Sequence, residues 1–382
     1  MMARLPSPGL IWQTIQYLIG FRRLGYDPYY VEAHGGTPRD LMGGVRRKGD
    51  YGSVEAAAFI ASVMAQFDFD DRWVFHSRFD SDRYFGLTEA ETKTLYRSAA
   101  LIINYHGCTV PLPEHAETGR LVYLETDPVG LEIELYDKRG EALAFIAPHR
   151  AFFTWGLNYD GADCKVPMPP GVQFHRSPPA ILLDLWEPQS VSRDAPFTTV
   201  GNWRQPGTVK FDGELYYWSK DREFLKFIDL PSRTSQAFEL ALGGPSYTDD
   251  DLQLLDGHGW RVRDAQVFFG DLDGYRQYIC TSRAEFTVAK DQNIRLRSGW
   301  FSERSATYLA SGRPVVTQET GYSNVLPTGQ GLFAFSNMDE IVAAVEAINA
   351  DYDTHSRAAA QIAREYFSHD VVLPRLLAEC GL

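Results

Sequence analysis

The sequence predicts an α/β protein built as two doubly wound domains facing a cleft, and three observations carry that reading. Short apolar segments closed by glycine or polar loops alternate with helix-period segments along the whole chain. A proline-rich stretch near residue 180 interrupts the alternation, after which it restarts. At 382 residues, the chain exceeds what one hydrophobic core usually organises.

Composition narrows the class. With 44% hydrophobic and 23% charged residues there is apolar material for two packed cores. The net charge of -13 and the lack of a long Lys/Arg run give no footprint for a nucleic-acid backbone, so nucleic acid is not expected as a partner. Cys108, Cys164, Cys280 and Cys380 are widely spaced and form no metal-ligand or CxxC pattern, which points to a reducing, cytoplasmic setting. The early run GLIWQTIQYLIGF is interrupted by Gln13, Thr14 and Gln16 and is too short to span a bilayer, so it is expected to be a helix of the fold with no transmembrane segment.

The elements follow in order. Ile11, Ile15, Leu18 and Ile19 recur at helical spacing, and Gly25 stands where a C-terminal cap belongs. YDPYYVEAHGG is expected to be a strand, GSVEAAAFIASVMAQF a helix, and RWVFH, ALIINYHG and RLVYLETDP three further strands. The boundary is placed at residue 180, giving a first doubly wound domain over 1–180, a second over 181–365, and a terminal helix over 366–382 that returns towards the first domain. In the second domain FTTVGNWR, AFELALGG, RVRDAQVFFG, AEFTVAK, RPVVTQ and GLFAF are the expected strands, and Pro374 is expected to break or kink the last helix.

Doubly wound sheets bind ligands past the carboxyl ends of their strands, which puts His34, His106, Asp127 and Asn158 on one rim. His106 is a candidate base or sugar-hydroxyl partner, or a loop histidine satisfied by backbone. Asp127, before Pro128, is a candidate proton acceptor or simply a turn starter.

The stretch RLRSGWFSERSATYLASG places Arg297, Gly299, Ser302, Ser305 and Thr307 around the start of a helix. Unpaired backbone N–H groups at a helix N-terminus, hydroxyls and a guanidinium together suit a phosphate, and a glycine lets a ligand approach the backbone. The DLD string at Asp271 to Asp273 is read as a helix cap rather than a metal motif, and no metal site is expected.

These residues also carry a resemblance. TYLASGRPVV, ETGYS and GQGLFAFSNMDEI resemble, in order and spacing, the carboxyl-terminal domain of GT-B fold glycosyltransferases of the group 1-like type. The amino-terminal SPGLIWQTIQYLIGFRRLGYDPYYVE is similar to the first loop, helix and strand of that fold, with MMARL as a short first strand and Gly9 in a reduced glycine loop. The resemblance implies two Rossmann-like domains and metal-independent transfer of a sugar from a nucleotide-diphosphate donor, such as a UDP-sugar, to a small-molecule or glycan acceptor, with no further cofactor.

It further implies that Arg204 and Lys220 stabilise the departing diphosphate, joined by Arg297, Gly299, Ser302 and Ser305. Thr307, Glu319, Thr320 and Gly321 would face the donor sugar and nucleotide. The retaining branch has two glutamates where this chain has Gly299 and Thr307, so its ribose carboxylate is missing or moved to Glu303 or Glu319. SGWFS is similar to CGWNS of the plant-type inverting branch, with Arg297 at the histidine position. A GT-B fold epimerase or phosphorylase, and a non-catalytic two-domain binder, stand as the other readings.

Overall fold

The computed structural model of the chain describes residues 1–36, 52–80 and 82–382. In the amino half, β1 (Tyr30–His34), β2 (Trp73–Ser77) and β3 (Arg83–Gly86) form one sheet, and β4 (Ile102–Tyr105), β5 (Leu121–Glu125), β6 (Phe152–Thr154) and β7 (Phe174–Arg176) form another. Neighbours are parallel except β2 and β3. All five residues of β5 are buried, as expected of a parallel strand covered on both faces.

The carboxyl half holds β8 (Phe197–Gly201), a hairpin of β9 (Thr208–Phe211) and β10 (Glu214–Tyr217), then β11 (Phe238–Leu242), β12 (Arg261–Asp264), β13 (Ala284–Thr287), β14 (Val315–Gln318) and β15 (Leu332–Phe335). Its six-stranded sheet has the order β12-β11-β8-β13-β14-β15, and every pairing is parallel. Counted within this sheet, this is the doubly wound order 3-2-1-4-5-6. Successive connections leave β8 and β13 in opposite directions, which opens a crevice at their carboxyl ends. Phe238, Trp260 and Phe286 pack ring against ring beneath the sheet.

The sequence reading needs four corrections. Met1–Leu5 forms no strand, because the segment coils into turns, with Arg4 and Leu5 N–H donating to the Met1 carbonyl. QVFFG is not a strand either: Ala265–Phe268 is a 3₁₀ turn whose start is capped by Asp264. The β9–β10 hairpin was not anticipated. Pro374 sits inside a continuous helix, His369–Glu379, and the interruption falls earlier, where a π-turn at Ala363–Phe367 leads into the extended Ser368. The first helix, Pro8–Arg23, ends as expected, with Gly25 in the left-handed region at φ 89°.

The two halves are joined through that first helix. Trp12 Nε1 donates to the Leu272 carbonyl at 3.1 Å, and Gln16 Nε2 donates to Glu303 at 2.6 Å while its oxygen accepts from Leu182 N and Trp186 Nε1. Gly20 sits against the final helix, where a Cβ would lie 2.6 Å from Leu373 Cδ1. The halves also meet backbone to backbone, with Leu157 N donating to Gly299 O and Asn158 N to Ser298 O.

Candidate active site

The crevice at the carboxyl ends of β8 and β13 gathers three basic side chains. Arg304 is fixed first: its guanidinium donates to Glu285 at 2.6 Å, to the Val200 carbonyl at 2.7 Å and to Thr287 at 3.1 Å, bracing the ends of β8 and β13. Burial lowers its pKa, but Glu285, joined by Tyr275 and Tyr308, raises it overall, so the charge is kept.

Lys220 precedes the short helix Asp221–Leu225 and is only 8% exposed. Its ammonium lies 5.5 Å from the centre of the Trp300 ring, and among the described residues it makes no ion pair. Burial, and then the nearby Arg304, push its pKa well below the ordinary lysine range. Lys290, three residues past the end of β13, is 7% exposed and lies 4.8 Å from the Trp218 ring centre.

Asp127 faces them from the other half. Its Oδ2 accepts from Trp218 Nε1 at 3.0 Å and from Lys290 Nζ, while its Oδ1 is buried without a partner. The loop that carries it is strained: Val129, β-branched, is held at φ 95°. The buried Glu132 secures that conformation by accepting from Val129 N at 2.8 Å. Gly130 is needed beside it, since a Cβ would stand 3.0 Å from the Trp218 ring.

The other expected site residues are placed as follows. His106 has φ 62°, its Nδ1 is 2.6 Å from Thr126 Oγ1, and its buried Nε2 has no partner. Burial, helped by the N-terminal ammonium, pushes its pKa down to about 3, so the ring is neutral at physiological pH. Thr126 in turn accepts Trp300 Nε1 on its carbonyl at 3.0 Å. His34 is taken up by Glu32 at 2.8 Å. Asn158 lies buried between the halves, donating to Asp163 and to the Arg297 carbonyl at 2.9 Å each, which removes it from the rim.

In the expected phosphate cluster, both arginines are paired with carboxylates. Arg204 pairs with both oxygens of Asp251 and lies 3.4 Å from Asp221. Arg297, at φ 50°, pairs with Asp163 at 2.5 Å and lies 3.9 Å from Glu319. Gly299 admits protein rather than leaving room for a ligand: at φ 77°, a Cβ there would lie 2.1 Å from Asn158 N. Gly321 is similar, with Asn158 Nδ2 2.5 Å from its would-be Cβ, and Glu319 accepts from its N–H. Thr320 donates to the Trp300 carbonyl at 2.8 Å.

Ser302 starts the helix Glu303–Ala310 without a side-chain cap, Ser305 Oγ is buried without a partner, and Thr307 donates to the Arg304 carbonyl at 2.7 Å. The helix start is occupied by Glu303, whose pKa burial raises to about 8. Gly9, near the start of the first helix, lies against Tyr275. Asp271 caps the helix Leu272–Thr281 by accepting from Gly274 N at 2.8 Å.

Sequence reasoning missed Lys290, Trp218, Arg304 and Glu285. Lys290 was within reach of the strand-end rule, since AEFTVAK ends on it. Trp218 follows a hairpin with no local signature, and Arg304 looks like a solvated helix residue until the sheet closes beneath it. Among the described residues no cluster of three His, Cys, Asp or Glu is arranged to hold a metal, and no helix is long and apolar enough to cross a membrane.

No protein-family model matches the chain, and no curated protein matches it in sequence. Solved structures do. Anabaena Alr3699/HepE in complex with UDP superposes with a TM-score of 0.55 at 13% identity, covering 93% of this chain and 100% of that one. A glycosyltransferase from Rickettsia africae ESF-5 gives 0.50 at 11% identity, covering 98% and 95%. HepE in complex with UDP and glucose gives 0.50 at 13% identity, covering 84% and 88%. At such identities the likeness speaks for architecture alone. Two Rossmann-like halves with a crevice between them, matched over most of the length of these structures, give the chain the GT-B fold.

Proposed function

We propose that the chain is a glycosyltransferase that moves a sugar from a nucleotide-diphosphate donor to an acceptor hydroxyl. One observation carries this reading: Lys220 and Lys290 converge on the doubly wound crevice of the carboxyl half, and Asp127 faces them from the amino half. Cleavage of a sugar–phosphate bond builds negative charge on the diphosphate, and cations placed in advance in a dry site lower that barrier. Lys220, buried and without an ion-pair partner, is assigned to the diphosphate, with Lys290 beside it. Trp218 and Trp300 wall the same space.

Without donor, Lys290 is held by Asp127. A diphosphate competes for the ammonium, and its arrival releases the carboxylate to accept the acceptor's proton. His106, neutral and hydrogen-bonded to Thr126, positions the loop on which Trp300 rests. The two lysines provide the charge that a divalent ion supplies in metal-dependent transferases, so metal-independent transfer is part of the proposal, as is a hexose as the transferred sugar. A cytoplasmic location and an acceptor bound in the amino half complete the reading.

The test is a thermal-shift titration with UDP, TDP and GDP, followed by UDP-glucose turnover in water with labelled sugar. A rise in Tm with at least one nucleotide and slow donor hydrolysis are expected. No response to any of the three would overturn the proposal.

A further inference from the structure

Two carboxyls lie behind the loop that carries Asp127. Glu125 ends β5 and is 2% exposed, and Glu132, in the helix Gly130–Tyr136, is fully buried. Each is within hydrogen-bonding reach of the other. Glu125 Oε2 accepts from Thr154 Oγ1 at 2.8 Å and from the Tyr159 hydroxyl at 3.3 Å, while Glu132 accepts from Val129 N at 2.8 Å on its Oε2. The remaining oxygen of each, Oε1, is buried with no donor among the described residues.

Two ionised carboxylates are a poor fit to this setting. Burial disfavours both charges, each repels the other, and two oxygens lack donors. The other titratable groups facing the pair are Tyr123 of β5, Asp127 of the loop, and Tyr159 and Cys164 beyond β6, all neutral or negative. One shared proton supplies the missing donor and leaves a single charge, which Val129 N, Thr154 and Tyr159 stabilise. In keeping with this, burial and then the neighbouring carboxyl push Glu125 well above the ordinary carboxylate range.

We infer that Glu125 and Glu132 share one proton as an acid–carboxylate pair, and that they are positioning residues: the pair holds the Val129 turn and thereby sets Asp127 against Trp218 and Lys290. The chain of contacts is short. Glu132 clamps Val129, whose φ of 95° a β-branched residue does not adopt freely, and Glu125 anchors the strand end two residues before Asp127. Beyond the turn, Asp127 accepts from Trp218 Nε1 at 3.0 Å. The positioning role rests on the proposed transferase activity; the shared proton does not.

The test uses the full chain. In infrared difference spectra at pH ~7, Glu125→Gln and Glu132→Gln are each expected to lack one protonated-carboxyl stretch of the wild type, and the double variant to lose no more than either. Glu132→Met, which accepts nothing from Val129 N, is expected to move the Trp218 Nε1–H resonance and to lower kcat for UDP-glucose hydrolysis about tenfold or more, with KM within about threefold. Glu132→Gln, whose amide still accepts from Val129 N and donates to Glu125, is expected to restore both. Should Glu132→Met not fold, Val129→Gly/Glu132→Met relieves the turn and is expected to show the same shift in resonance. Additive loss of two carboxyl stretches, loss of none, an unmoved indole resonance, or a fall in kcat that Glu132→Gln shares would overturn the inference. The infrared and indole signals need no donor, so a wild type that binds no nucleotide rejects the proposed activity while the pair is still decided by them.

Discussion

The Asp127 carboxylate and the Lys290 ammonium close an ion pair across the cleft, between residues 163 positions apart in the chain. Asp127 also holds Trp218 Nε1, so one carboxylate orders both the lysine and the indole that shields it. If the pair is the resting lock of a transferase, its two members affect the reaction differently.

Asp127→Asn is expected to lower turnover by about 10²- to 10⁴-fold, the usual cost of losing a general base, while UDP binds as well or better because Lys290 is freed. Lys290→Ala is expected to weaken UDP binding about 10-fold or more, in the range of one lost charge-assisted contact. Calorimetry with UDP and initial rates with UDP-glucose separate the two. Equal loss of binding in both variants would contradict the assignment.

Lys220 carries a protonation signature. Its pKa lies well below the lysine range in the empty site, because of burial and Arg304, and a bound diphosphate raises it. Between the two values, binding takes up a proton, so UDP affinity increases as pH falls through that window. Calorimetry in buffers of different ionisation enthalpy measures the uptake directly, and Lys220→Met is expected to abolish it.

Glu303 acts on stability. Its folded pKa of about 8 lies above the ordinary 4.5, so between these values the folded state holds the proton that the unfolded state gives up. The sign follows: stability falls as pH rises from 4.5 towards 8 and levels off above. Glu303→Gln, which keeps a polar group opposite Gln16, is expected to flatten this dependence and to raise Tm at pH ~9 by about 4 °C. Melting curves across the range check it.

Gly299 separates structure from ligand binding. An added methyl would meet Asn158 N at 2.1 Å in a backbone already at φ 77°, so Gly299→Ala is expected to cost about 3 kcal/mol or more. Arg297→Ala, which loses the pair with Asp163, is expected to lower Tm by no more than about 2 °C, since partly exposed ion pairs contribute little, and to leave the UDP dissociation constant within about threefold, since Asp163 already holds the guanidinium. Urea denaturation and UDP calorimetry on the two variants test both statements.

The alternation of strand and helix was legible because it is local. Each apolar run, such as LVYLE or AEFTVAK, carries its period in a few residues, and the doubly wound class follows from their order. MMARL misled because so short a segment has no conformation of its own without a partner edge, and QVFFG because a capping aspartate turned it into a helical turn. Asp127 was picked out by its place at a strand end, and Lys220 by the resemblance of its stretch to the family's lysine ahead of a helix.

What the sequence determined by itself, then, is the architecture and the rim on which chemistry is expected, since period and strand-end position are properties of short stretches. Tertiary structure alone decided which charges remain available. Arg204 and Arg297 carry the same guanidinium as any phosphate clamp, but Asp251 and Asp163, brought close by folding, occupy them. Lys220 is left without an ion pair at the crevice instead, with Lys290 held by Asp127 beside it, because the sheet order places their loops side by side and the electrostatic state of a charge depends on its neighbours in space.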